Sequence, residues 1–300
     1  MATRFAVLGT GHWARNTHAA AVAAHPDAEL VAVWGRDLAR ARAAAAPYGA
    51  AAYDDLETTL SHVDAVAIAV PPDVQARLAV RAATAGKHLL LDKPLALTVE
   101  AADDVVAAAT AGGLASVVFF TSRYLPEVEA FLPEAAAAGF DTARVTMLGS
   151  ILGDDNPYRD SAWRYEYGGL WDLGPHALSI LLPVLGPIVE VTAAPAPHAV
   201  THVIATHASG SVSTMGLSVV SPHVRHEFVF TGPAGDVPVP VSPAQPTEPV
   251  RSLGVAIDQL LRQVETGRRD HPCDVRFARD VTAVLAAAER ARDTGTRTPV

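Results

Sequence analysis

The first 120 residues alternate between short, largely apolar runs and longer stretches whose apolar positions recur at helical spacing. The runs at 4–8, 29–34, 64–70, 88–91 and 115–120 each read as a buried parallel strand. Between them the pattern predicts helices over 12–24, from Asp37 to 46, from Asp73 to 85 and over 98–111. Asp37 and Asp73 are the expected caps, and Gly86 closes the third helix. Strands and helices that alternate through short connections specify a doubly wound, parallel α/β sheet.

After residue 121 the pattern changes. A helix over 127–138 is interrupted by Pro133, and a strand-like run covers 141–152. A polar loop rich in Gly, Asp, Asn and Pro then leads to a helix over 170–185. Five β-rich runs follow at 188–193, 201–208, 211–220, 227–231 and 236–241. Their joints at Ser209-Gly210 and 232–235 have the composition of antiparallel hairpin turns. The proline-rich stretch 238–249 reads as a surface loop, and helices at 253–266 and 275–293 close the chain. Two domains are expected: an α/β domain over 1–121, and an α+β domain with a mostly antiparallel sheet over 122–300. The last helices are expected to pack back on the first domain.

Composition narrows the class. Half of the 300 residues are hydrophobic and 18% are charged, which suits a globular chain with sizeable cores. No apolar run approaches the roughly 18 residues that span a bilayer. The N-terminus has no leader-like pattern, and a single cysteine, Cys273, cannot form an internal disulfide, so a cytoplasmic location is expected. A net charge of −9 argues against a nucleic-acid partner, and with no spanning apolar run no membrane partner is expected. It is compatible with an anionic cofactor, because such sites use backbone N–H groups and one or two local cations. Of the 23 basic residues only Lys87 and Lys93 are lysine. Where arginine fills nearly every basic position, a surviving lysine calls for a local explanation.

Three segments carry candidate chemistry. Gly9-Thr10-Gly11-His12-Trp13-Ala14 has the form G-x-G-x-x-A directly after a strand and at the opening of a helix. The first glycine permits the tight turn, the second lets backbone approach a pyrophosphate, and the helix N-terminus favours the anion. In this setting the segment reads as the dinucleotide site of a Rossmann domain, with His12 and Trp13 as further cofactor contacts. At the tip of the second strand, Trp34-Gly35-Arg36-Asp37 has no acid at 34 or 35 to hold a ribose hydroxyl. Arg36 is placed to hold a 2′-phosphate, which favours NADP and leaves NAD possible. Val70, Pro71 and Gln75, at and just after the third strand, complete the expected cofactor contacts.

The second segment, Leu91-Asp92-Lys93-Pro94, stands at the C-terminal end of a parallel strand, the edge where ligands bind in open α/β sheets. An ammonium is a compact donor that responds to its surroundings, which a group holding a reacting oxygen requires and a guanidinium does not supply. The third segment runs from Gly168 to His176. Asp172 and His176 are four apart and share a helical face, with Ser179 one turn further on. Gly174-Pro175 suggests that the regular helix starts near there, with Asp172 in its lead-in. A carboxylate beside an imidazole orients the ring for proton transfer, although such a pair also serves as a structural ion pair. Two such groups and no cysteine do not make a metal site.

Together these segments resemble the Gfo/Idh/MocA family, the glucose–fructose oxidoreductase and inositol dehydrogenase-like enzymes. The likeness covers the stretch from Ala85 to Pro94, the Trp163-Arg164 pair, the run G-G-L-W-D-L-G-P-H at 168–176 and the final helix after Asp274. It implies an N-terminal Rossmann domain and a C-terminal open sheet whose exposed face builds homodimers or homotetramers. It also implies that Lys93 contacts nicotinamide and substrate, and that Asp172 and His176 complete the catalytic set. Three positions depart from the family pattern. Asp92 replaces a glutamate, Gln75 stands where many members have histidine, and Ser179 replaces an aspartate that contacts substrate hydroxyls.

The expected reaction is hydride transfer between nicotinamide C4 and a secondary alcohol or carbonyl of a sugar, keto-sugar or related cyclic alcohol. His176 exchanges the proton, Asp172 orients it, and Lys93 polarises the oxygen. Arg123, Tyr158, Trp163, Arg164 and Ser179 are the expected substrate contacts. Two rivals are a cofactor-binding sensor without turnover and an NAD-recycling glycosidase. Retention of Lys93, Asp172 and His176 together weighs against the sensor.

Overall fold

A computed structural model describes residues 2–233, 235–241 and 248–300. The chain divides into two compact units. One comprises Met1–Phe119 with Gln245–Arg279, the other Phe120–Ala244 with Asp280–Val300. The boundary expected at 121 thus falls at 119, and 245–279 leaves the second domain for the first.

The first unit holds a six-stranded parallel sheet: β1 (Thr3–Leu8), β2 (Ala28–Trp34), β3 (Ala51–Tyr53), β4 (Ala65–Ile68), β5 (His88–Asp92) and β6 (Ser116–Phe119). Their order is β3-β2-β1-β4-β5-β6. The strands read as continuous apolar runs because both faces are covered: Phe5, Val7, Leu8, Val66, Ile68 and Leu90 are wholly buried. Each such side chain contributes about 1.5–3 kcal/mol relative to exposure. The helices are α1 (Ala20–Ala24), α2 (Leu38–Ala45), α3 (Leu56–Ser61), α4 (Pro72–Thr84) and α5 (Val99–Ala111). Before α1 the chain is π-helical over Ala14–Ala19.

Asp37 caps α2 as expected, accepting from the amides of Ala39 and Arg40. Asp73 does not cap α4. Pro71 is the N-cap residue and Pro72, which has no amide to satisfy, opens the helix, so Asp73 falls in the first turn. Two short elements, β3 and α3, were not expected from the pattern.

The second unit contains α6 (Pro126–Ala138), continuous through Pro133, and α7 (Ala162–Leu185). Its strands are β7 (Thr142–Ser150), β8 (Ile188–Ala196), β9 (Val200–His207), β10 (Val212–Ser218), β11 (Val220–Gly232), β12 (Gly235–Pro238) and β13 (Thr298–Pro299). They form one sheet in the order β12-β11-β7-β10-β9-β8-β13. β7 and β10 are parallel and the other pairs antiparallel. Both expected hairpins form, β9–β10 and β11–β12. One face is buried through Val145, Met147, Val203, Met215 and Leu217, while Arg144, Ile204 and Thr214 on the same strands are exposed.

Two further helices are α8 (Glu248–Thr266), in the first unit, and α9 (Val275–Thr294), within which the division falls. The loop expected over 238–249 gives way to α8 at Glu248, and its residues 242–247 lie outside the described ones. Among the described residues no helix is long and apolar enough to cross a membrane.

Candidate active site

In the first unit, register puts four of the expected residues on one edge. Leu8 pairs with Trp34 and with Ile68, and Ile68 pairs with Leu91. The C-terminal tips of β2, β1, β4 and β5 therefore present Gly35, Gly9, Val70 and Lys93 in that order. The edge includes the β1–β4 junction, where strand order reverses and ligands of such sheets bind.

The glycines differ in what they permit. Gly9 has φ +142°, and a Cβ there would stand 2.4 Å from the Ala69 carbonyl oxygen. A Cβ on Gly35 would stand 2.5 Å from Thr10 Cγ2. Both positions fix a tight strand-to-helix turn. Gly11 is exposed, and a Cβ there would meet nothing within 4 Å, which leaves room for a phosphate at the start of the helix. His12 is exposed on that first turn, with Asn16 Nδ2 2.9 Å from its Nδ1. Trp13 is half-buried, and its indole N–H is buried without a hydrogen-bond partner. A tight turn, an open glycine and an unused buried donor fit a bound dinucleotide. Arg36 is exposed.

Lys93 is partly buried and joined to Pro94 by a cis peptide bond. Gln75 holds this corner. Its Nε2 donates to the carbonyls of Asp92 (2.7 Å) and Pro94 (3.0 Å), and its Oε1 accepts from the Asp92 amide at 3.0 Å. The side chain is buried, with both ends committed to backbone, so Gln75 braces the lysine turn instead of contacting cofactor as expected. Asp92 Oδ1 accepts from the Lys93 amide at 2.9 Å.

In the second unit, α7 breaks at Gly168 (φ 61°, ψ −158°) and is helical from 169 onward. Asp172 therefore lies inside regular helix, not in a lead-in. Its side chain is 2% exposed, and Oδ2 accepts from Arg164 Nε at 3.0 Å across the kink. The Arg164 guanidinium lies 4.5 Å from the ring centroids of both Tyr158 and Trp163, and its Nη1 donates to Ser161 Oγ at 3.2 Å. Three expected substrate contacts thus form one cluster around the Asp172 carboxylate, and Arg164 is the partner that sequence spacing did not show. His176 follows one turn later and is partly exposed.

Arg123 sits on a 3₁₀ turn, Thr121–Tyr124, with its Nε buried and lacking a hydrogen-bond partner. Ser179 is wholly buried and donates to the His176 carbonyl at 2.8 Å, so it is not an exposed substrate contact. Among the described residues no three His, Cys, Asp or Glu side chains converge as a metal site would require.

Residues 3–120 match the model of an oxidoreductase family with an NAD-binding Rossmann fold, GFO_IDH_MocA. The chain is 28% identical over 243 residues to dTDP-3,4-didehydro-2,6-dideoxy-alpha-D-glucose 3-reductase of Streptomyces antibioticus, spanning 77% of this chain and 74% of that one. It is 33% identical over 126 residues to scyllo-inositol 2-dehydrogenase (NADP(+)) IolU of Bacillus subtilis (strain 168), 41% of this chain and 38% of the relative. The fold matches that of GenD2 from gentamicin A biosynthesis, solved in complex with NAD. That match has a TM-score of 0.87 at 23% identity and covers 100% of this chain and 96% of GenD2.

Proposed function

We propose that the chain is an oxidoreductase of the Gfo/Idh/MocA family, whose model residues 3–120 match, and that it interconverts a secondary alcohol and a carbonyl on a sugar, keto-sugar or related cyclic alcohol. The observation that carries this reading is the shared edge of the parallel sheet, where the Gly9 turn and Lys93 both stand beside the point at which strand order reverses. Gly9 to Trp13 hold the pyrophosphate, Arg36 the adenosine end, and Val70, Pro71 and Lys93 the nicotinamide end. When bound, nicotinamide accepts or supplies a hydride at C4.

The chain's own residues do the rest. Lys93 donates to the substrate oxygen and favours the alkoxide. His176 takes the hydroxyl proton in oxidation and returns it in reduction. Asp172, held by Arg164, stands one helical turn before His176 and orients the imidazole. Tyr158, Trp163 and Arg123 line the substrate side.

The test is turnover on a panel of sugars and inositols with both cofactors. Lys93→Ala and His176→Ala are expected to lower turnover by about 10²-fold or more while cofactor affinity stays within about threefold. Near-normal turnover in both variants overturns the assignment. NADP is preferred in this reading. Arg36 is free to reach a 2′-phosphate, while the Asp37 carboxylate is engaged in capping α2. A Michaelis constant for NADH equal to or below that for NADPH would reject the preference.

A further inference from the structure

His18 lies on the π-helical turn that follows the Gly9–Gly11 loop, and it is wholly buried. Neither ring nitrogen has a hydrogen-bond partner. A buried polar group left in this way costs about 1–3 kcal/mol, and an apolar residue would avoid the cost, so the imidazole calls for a reason. Helical turns of π geometry are frequent at functional sites. The surroundings supply one. Phe119 and Trp13 meet the ring edge-on, at centroid distances of 6.3 and 6.5 Å. Nε2 stands 4.0 Å from Asp92 Oδ2, one ångström beyond a good hydrogen bond. The other oxygen of that carboxylate accepts from the Lys93 amide.

Burial lowers the His18 pKa to about 3, so the ring is neutral near neutral pH and the approach is not an ion pair. A neutral imidazole has one N–H to give. The carboxylate facing it, already tied to the lysine turn, is the acceptor in reach.

We infer that His18 is a positioning residue for Lys93: an approach of about one ångström lets its Nε2–H hold the outer oxygen of Asp92, whose inner oxygen fixes the backbone from which the Lys93 side chain extends. Gln75 braces the same corner through its backbone and His18 through its carboxylate. The inference rests on the assignment of Lys93 to the substrate oxygen for its catalytic meaning, but the contact itself is read without turnover.

With two lysines in the chain, selective ¹³Cε-lysine labelling gives two signals, assigned with Lys87→Arg and Lys93→Arg. In the full-length protein, His18→Leu is expected to shift and broaden the Lys93 signal and leave Lys87 in place. His18→Asn, which keeps an N–H donor, is expected to restore the Lys93 signal at least in part. Asp92→Asn should move Lys93 in the same sense, and the His18→Leu/Asp92→Asn double variant should add little. A Lys93 signal indifferent to a folded His18→Leu overturns the inference, as does equal movement of both lysines. If His18→Leu fails to fold, the Asn and Asp92 variants decide: a Lys93 signal that Asp92→Asn leaves in place, or that His18→Asn moves as far as Asp92→Asn does, rejects the coupling. Loss of turnover in Lys93→Ala is measured separately, so failure of the functional reading is distinguishable from failure of this contact.

Discussion

Arg164 and Asp172 make the ion pair on which the second unit's candidate residues are arranged. Truncating Arg164 to alanine leaves a carboxylate with a 2% exposed side chain without its cation, which costs about 3–5 kcal/mol. A fall of that size in the urea-derived stability is expected, and Arg164→Lys should recover only part of it. An ammonium cannot fill the space between the Tyr158 and Trp163 rings as a planar guanidinium does. His18 sets a second expectation. Its folded pKa lies below the ordinary value of 6.5, so the stability it allows is complete above pH 6.5 and is lost as pH falls toward about 3. The melting temperature of wild type should therefore fall relative to that of His18→Leu as pH drops from 7 to 4, whichever is the higher at pH 7. Parallel curves would show that the buried ring titrates normally. Arg164 was legible in the sequence as a substrate contact but not as the partner of Asp172, because it pairs at i+8 across a kink, a spacing that no helical periodicity reveals; His18 was not legible as functional, being one histidine in an alanine-rich helix.

At the scale of elements, α7 shows both how far pattern reading reaches and where it stops. The apolar spacing located its second segment, from 169, within one residue, because a continuous helix must bury one stripe. The turn of helix before Gly168 was missed, since two consecutive glycines read as a terminus. The two glycines have different reasons to be there. Gly168 sits at φ 61°, ψ −158°, a region open almost solely to glycine, although a Cβ would meet nothing. A Cβ on Gly169 would stand 2.7 Å from the backbone of Leu217 and Ser218, where α7 crosses β10. Gly168→Ala is expected to cost about 1–3 kcal/mol through backbone strain alone. Gly169→Ala should cost more, because the sheet backbone has to move. Denaturant midpoints in the reverse order would contradict this account. β3, of three residues, and the six-residue α3 were missed for a simpler reason: neither is long enough to establish a period.

At the scale of the whole molecule, alternation in the first 120 residues made the parallel sheet plain, and turn chemistry made the second sheet plain. The last helices were expected to pack back on the first domain, but which residues do so was less visible, because the sequence of α8 says that it is amphipathic but not what its apolar stripe covers. Leu253, Ile257 and Leu260 of α8 are wholly buried, Gln263 Nε2 donates to the Ser116 carbonyl, and Val118 donates to the Cys273 carbonyl. A fragment ending at 119 is expected to aggregate or to remain unfolded by circular dichroism. The same fragment joined by a flexible linker to 245–279 should fold and bind dinucleotide; a stable 1–119 fragment would refute this. The uncovered face of the second sheet, with Ile204 about half exposed and Val212 also exposed, is the surface on which a homodimer or homotetramer is expected. Ile204→Glu should lower the mass measured by light scattering without changing the melting of the protomer.

The discontinuous first unit has a consequence for the protein's birth. Translation has delivered every strand of its sheet by residue 119, yet the segment that completes it ends at Arg279, 160 residues later (279 − 119). At about 5–20 residues per second the ribosome needs roughly 8–32 s to supply it. Throughout that interval the nascent chain carries an apolar surface that its own C-terminal helix will later cover, and it is a client for whatever holdase waits at the tunnel exit. The unit whose strands are made first is closed only 21 residues before the end of the sequence (300 − 279).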